Sequence, residues 1–222
     1  MNAENKTAPA PWRLTGEGYV VAVWMPMSAT KIKMPWLRGR IQLLIFANYA
    51  QSNVGAYYEL LHIPHLNHGV IKGYPSIDKI YVSTMASVIN GQQNWGIPKE
   101  LARFDYHNAD GQPNTDLIEV KTPDDQAIAR IEFESGGIKF PISTALAPKR
   151  LRTLVQDWQT KRFYVAPEAK GQACFAKVKN WTFNADYFPD LSQAKVISAI
   201  KISELEMIFP IPQISEISKS TE

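Results

Sequence analysis

Leu43, Leu44, Ile45 and Phe46 stand side by side within residues 40–49. Neighbouring side chains on a strand point to opposite faces, so four consecutive large apolar residues cannot all be hidden on one side. The stretch predicts a strand covered on both faces, in the interior of a sheet. Residues 19–25 are rich in β-branched and aromatic side chains, stop at Pro26, and predict a second strand. In residues 56–63 the alternation places Tyr57, Glu59 and Leu61 on one face and Tyr58, Leu60 and His62 on the other. A carboxylate is thereby set between a tyrosine and a leucine.

Residues 80–89 are expected to be extended, and residues 101–106, 117–122 and 127–134 alternate as antiparallel strands with turns at Asn108-Ala109-Asp110-Gly111 and Pro123-Asp124-Asp125. Residues 173–183 and 200–209 add two further strands. A helix is expected over residues 148–159, where Pro148 suits a first turn and Leu151, Leu154, Val155 and Trp158 share one face at helical spacing. Fifteen prolines and twelve glycines spread over 222 residues argue for many short elements. The sum is a mostly β, β-rich α+β fold, an antiparallel closed β-cone or barrel with few short helices. One domain over residues 1–222 is expected, with residues 1–10 and 215–222 as flexible tails.

The net charge of +3 comes from basic residues interleaved with acidic ones, which argues against a nucleic-acid partner. Lys149, Arg150 and Arg152 form the densest basic group and read as the solvated face of a helix. No secretory leader is visible at the N-terminus, and the longest apolar run, residues 41–47, is too short to span a bilayer. Cys174 is the single cysteine, so the fold needs no disulfide and suits a reducing compartment; a cytoplasmic protein with no membrane partner is expected.

The chemistry-bearing stretch is residues 90–101, Asn-Gly-Gln-Gln-Asn-Trp-Gly-Ile-Pro-Lys-Glu-Leu. Pro98 fixes its own φ and biases Ile97 towards extended backbone, while Gly91 and Gly96 permit turns, so Lys99 is delivered at a defined place. Trp95, Ile97 and Leu101 surround it with apolar surface, the environment that makes an ammonium give up its proton. A lysine with an ordinary pKa of about 10.4 is neutral in roughly one molecule in 2,500 at pH 7, so about 4 to 5 kcal/mol of environmental work raises the nucleophile population about a thousandfold. His62, His65 and His68 are spaced by three, but Pro64 and Gly69 break any helix that would align them, and no metal is expected. No Gly-x-Ser-x-Gly elbow and no phosphate-cradling glycine loop is present.

Gly55-Ala56-Tyr57-Tyr58-Glu59 resembles the Gly-x-Tyr-x-Glu segment of the acetoacetate decarboxylase family. Gly91 with Trp95-Gly96-Ile97-Pro98-Lys99-Glu100-Leu101 resembles that family's Gly-to-Lys segment with the same spacing, and Pro11-Trp12-Arg13-Leu14 through Tyr19 is similar to its first strand. The resemblance implies a homo-oligomeric lyase without metal or organic cofactor. In it, Lys99 would form a Schiff base with a small keto acid or related carbonyl compound, and Glu59 would serve as acid and base in the same pocket. Two positions depart from the family pattern: Glu100 follows Lys99 where the family has a second lysine, and Glu17 stands where it has the arginine that binds the substrate carboxylate. Glu17, Arg13, Tyr57 and Trp95 are the expected substrate-side residues. An extended backbone would turn Glu100 away from Lys99, leaving it to pair elsewhere, with Arg103 as the candidate. The alternatives are an imine-type aldolase or dehydratase on another carbonyl substrate, or a non-catalytic barrel that binds an apolar ligand.

Overall fold

The computed structural model describes residues 7–26, 39–66, 71, 73–108 and 114–217. In chain order, β1 (Trp12–Pro26), β2 (Gly39–Gln51) and β3 (Tyr57–Ile63) form an antiparallel meander. β4 (Lys79–Val82) continues it, and helix α1 (Met85–Trp95) then carries the chain across so that β5 (Lys99–Leu101) lies parallel to β4. A parallel neighbour requires such a crossover. β6 (Arg103–Asn108), β7 (Thr115–Lys121) and β8 (Ala127–Ser143) make a second antiparallel meander. The short helix α2 (Lys149–Arg152) leads into the hairpin of β9 (Leu154–Trp158) and β10 (Lys161–Val165). β11 (Glu168–Phe183) pairs with β8, β12 (Lys195–Phe209) pairs with both β11 and β1, and β13 (Gln213–Glu216) joins β10.

Among the described residues ten strands form one sheet in the order β5-β4-β3-β2-β1-β12-β11-β8-β7-β6. Its edge strands, β5 and β6, are separated in sequence by Ala102 alone, whose N–H donates to the Val82 carbonyl at 2.9 Å. One residue therefore ties the two edges together. Phe104 on β6 stacks against Tyr58 on β3, with ring centroids 5.8 Å apart. The sheet is nearly closed and barrel-like, as expected from the sequence, and this limits the exposed edge that an open sheet would present.

Both faces of the β1–β3 region are covered. Trp12, Leu14, Ala47 and Tyr49 belong to one apolar cluster, and Tyr19, Val21, Leu44 and Phe46 to another. The four consecutive apolar residues of β2 are accounted for, since each face of this interior strand has a core of its own. β3 alternates as expected, with Tyr57 and Leu61 in the first cluster and Leu60 in the second.

Two local expectations are corrected. Residues 80–89 are not continuously extended: β4 stops at Val82 and α1 begins at Met85. Thr84, extended at φ −135°, caps the helix by accepting the Ser87 N–H, and Gly96 at φ 64° closes it with its N–H on the Gln92 and Gly91 carbonyls. The helix expected over residues 148–159 covers only Lys149–Arg152, and Leu154–Trp158 is instead a strand. Leu154, Val155 and Gln156 are all buried, which suits a strand between two layers rather than a one-sided helix. Among the described residues, Ala8 is buried with its N–H 2.7 Å from Asn90 Oδ1, and Ser215 and Glu216 of β13 pair with Arg162 and Lys161 of β10. Of the turn expected at residues 108–111, residues 109–111 lie outside the described residues.

Candidate functional site

A cavity of about 350 Å³ lies over the first apolar cluster. Leu14, Ile45, Leu61, Ile80, Trp95 and Phe209 are among its apolar walls, and its charged lining residues are Lys99, Glu59 and Arg152. The volume is in the range of small-molecule sites.

Lys99 opens β5, pairs with Ile80 of β4, and its carbonyl accepts from the Gln92 side chain at 2.9 Å. Its stem passes over Gly91 on α1. A Cβ at that position would come within 2.6 Å of Lys99 Cδ, so the glycine makes room for the lysine inside a helix rather than making a turn. Gly96 is the glycine that supplies left-handed backbone. The Lys99 Nζ reaches Glu59 Oε2 at 2.8 Å and Ser87 Oγ at 3.1 Å, and it stands 5.1 Å from the centroid of the Tyr57 ring. Lys99 and Glu59 are 5% and 6% exposed, so the pair is removed from water.

Two tyrosines complete the surroundings. The Tyr49 hydroxyl donates to Glu59 Oε1 at 3.5 Å and also contacts Met207 Sδ at 3.8 Å. Burial, and then the negative charge of Glu59, hold the Tyr49 and Tyr57 hydroxyls well above the usual tyrosine range, so both stay protonated. Glu100 points away from the site, as an extended backbone predicts, but its partner is Lys79 at 2.7 Å; Arg103 pairs instead with Asp125.

Of the substrate-side residues expected from sequence, Tyr57 and Trp95 line the cavity. Arg13 and Glu17 do not. Trp12 and Leu14 face it, so the alternation of β1 sends positions 13 and 17 to the opposite side. Arg13 is exposed, and Glu17 accepts from the Tyr106 hydroxyl at 3.0 Å, next to Lys201 and Asp116. His62 lies between Asp78 at 2.8 Å and Gln42 at 2.9 Å, His65 contacts Arg40, and His68 is outside the described residues. Among the described residues no group of His, Cys, Asp and Glu is placed to hold a metal.

Ser87, Tyr49 and Arg152 join the site although the sequence did not mark them as site residues. Ser87 was hidden by the reading of residues 80–89 as extended; the signal was Thr84 three residues before it, a helix cap. Arg152, read with the basic group as solvated, lines the cavity and is only partly exposed.

The fold thus defined, a nearly closed and mostly antiparallel barrel, has solved counterparts. No protein-family model matches the sequence, and no curated protein sequence matches it. An acetoacetate decarboxylase from Legionella pneumophila superposes with a TM-score of 0.61 at 13% identity, covering 94% of this chain and 88% of that one. A second acetoacetate decarboxylase structure gives 0.58 at 11% identity, over 96% of this chain and 91% of that one. An acetoacetate decarboxylase-like enzyme from Sphingomonas wittichii gives 0.56 at 12% identity, over 95% and 94%. The chain has the acetoacetate decarboxylase fold, as the sequence motifs predict. Among the described residues, no helix is long and apolar enough to cross a membrane.

Proposed function

We propose that the protein is a Schiff-base-forming enzyme that decarboxylates a small β-keto acid through an imine at Lys99. The observation that carries the reading is the 2.8 Å contact between Lys99 Nζ and a buried carboxylate in the wall of an otherwise apolar cavity. Imine formation needs the neutral amine, and Glu59 Oε2, 2.8 Å from Nζ, is placed to take the proton.

The amine attacks the ketone carbon, and Glu59 returns the proton to the carbinolamine oxygen, which leaves as water. In the protonated imine the bond to the carboxyl carbon breaks, carbon dioxide departs, and the electron pair passes into an enamine. Protonation at carbon and hydrolysis then release the product ketone and regenerate the lysine. Tyr49 and Tyr57 remain protonated and offer neutral donors beside Glu59. The same reading takes the protein to be a cytoplasmic homo-oligomer acting on a small carbonyl compound.

The test is reduction with borohydride in the presence of acetoacetate and a panel of other keto acids, with the adduct mapped by mass spectrometry. An adduct on the Lys99 peptide that disappears in Lys99→Ala is expected, together with release of carbon dioxide. An adduct without carbon dioxide would point to the aldolase or dehydratase chemistry that shares the imine. Binding of apolar compounds with no adduct from any carbonyl compound would leave the non-catalytic barrel.

A further inference from the structure

The charges lining the cavity do not balance. Lys99 and Arg152 are cations and Glu59 is the single anion among them. Glu59 is committed to Lys99, while Arg152 Nη1 reaches Glu168 at a long 3.3 Å, and Glu168 is itself mostly exposed on β11. Arg152 Nε is buried with no hydrogen-bond partner among the described residues. A guanidinium offers five donors in a planar fork, and a buried donor on a charged group left unmade is costly. The unmade donor belongs to a residue that lines the cavity.

The size of the cavity points the same way. At about 30 Å³ per water-sized atom, its volume holds about a dozen non-hydrogen atoms, so acetoacetate would fill roughly half of it. The cavity is lined mostly by apolar side chains, among them Leu43, Ile63, Leu151 and Leu154. Polar groups are gathered at two places. Lys99 is buried on β5 at one edge of the sheet, and Arg152, partly exposed, stands at the rim beside the start of β11, six places along the strand order. The charges of Lys99 and Glu59 offset each other at 2.8 Å, whereas Arg152 offers an anion an unused donor.

We propose that the Arg152 guanidinium is an anion-binding end of this cavity, and that the ligand is a β-keto acid whose apolar body carries a second carboxylate, remote from the reacting carbonyl and retained in the product. The placement of the carbonyl rests on the imine reading; the anion subsite does not. A carboxylate held on Nε and one terminal nitrogen would form the paired hydrogen bonds that arginine makes with planar anions, and the exposed Glu168 would be displaced towards solvent.

Decanoate and decanol have similar apolar bodies and no carbonyl, so their affinities by titration calorimetry read the subsite without any imine. Arg152→Met keeps the apolar stem and removes the charge, and the ratio of decanoate to decanol affinity is expected to fall about tenfold, the weight of a charge-assisted hydrogen bond. Arg152→Lys should recover part of it. An unaltered ratio, or a wild-type protein that binds decanol but not decanoate, would overturn the subsite, as would binding of neither. In parallel, borohydride trapping compares an oxononanoate whose methyl ketone lies opposite its carboxylate with undecanone. A fall in the ratio of their trapping in Arg152→Met supports the full placement. A fall in the decanoate ratio with no Lys99 adduct from either ketone would retain the anion subsite and remove the imine.

Discussion

A methyl group on Gly91 would stand 2.6 Å from Lys99 Cδ and 2.8 Å from Lys99 Cε. The helix leaves that methyl out, and the lysine stem occupies the space on its way to Glu59. Gly91→Ala should favour the helix by about 0.5–1 kcal/mol through backbone entropy, and the flexible lysine can shift to relieve the overlap. The expected outcome is a folded protein with a similar melting temperature and at least about tenfold slower borohydride trapping, because a misplaced nucleophile loses the benefit of orientation. Undiminished trapping would show that the position of the Lys99 stem is immaterial.

Glu100 adjoins Lys99 in sequence but not in space, because successive residues of an extended strand project to opposite sides. It pairs with Lys79 at 2.7 Å and is half-exposed. Glu100→Gln should therefore leave trapping at Lys99 unaltered and cost less than about 1 kcal/mol in urea unfolding, as exposed ion pairs do. A marked rise in trapping on this substitution would mean that the neighbouring carboxylate does hold back the nucleophile.

Five tyrosines, Tyr19, Tyr49, Tyr57, Tyr81 and Tyr106, have their hydroxyls raised above the usual range, burial being the largest cause in each. In the unfolded chain they ionise near pH 10, whereas in the folded protein they hold their protons. Above that pH the unfolded state binds fewer protons than the native state, so stability falls as pH rises. The contribution is fully present below about pH 10 and is lost above it. Urea midpoints should decline between about pH 9 and pH 11, with phenolate absorbance from these residues appearing together with unfolding. Early titration of all nine tyrosines of the chain in the native state would contradict the burial.

The parts of the site carried by strands were legible because side-chain direction follows a period of two. Tyr57, Glu59 and Leu61 share a face in the sequence and share the cavity in space. The same rule, applied backwards from Trp12 and Leu14, removes Arg13 and Glu17 from the cavity, a step that motif resemblance alone does not take. What escaped was set by local turns without the usual residues. Gln159 takes φ 56° in the β9–β10 hairpin where glycine or asparagine is the common signal, and so the strand Leu154–Trp158 read as a helix. Arg152 escaped for a related reason, since a four-residue helix has too little periodicity to show which side chains turn inward.

Lys99 and Glu59 form a buried pair, and their energetic worth separates from their chemical one. Glu59→Gln keeps the shape and an acceptor for Lys99 but cannot take its proton. Loss of a positioned general base is expected to slow imine formation about a hundredfold or more, with the residual adduct still on Lys99. Removing one member also leaves an uncompensated buried charge, so stability should fall by up to about 3–5 kcal/mol. The double variant Glu59→Leu with Lys99→Met removes both charges from an apolar wall and is expected to be more stable than Glu59→Gln, close to the starting protein. Urea unfolding of the three proteins checks this. If the double variant were the least stable, the pair would be a structural tie in its own right, and its retention would need no catalytic explanation.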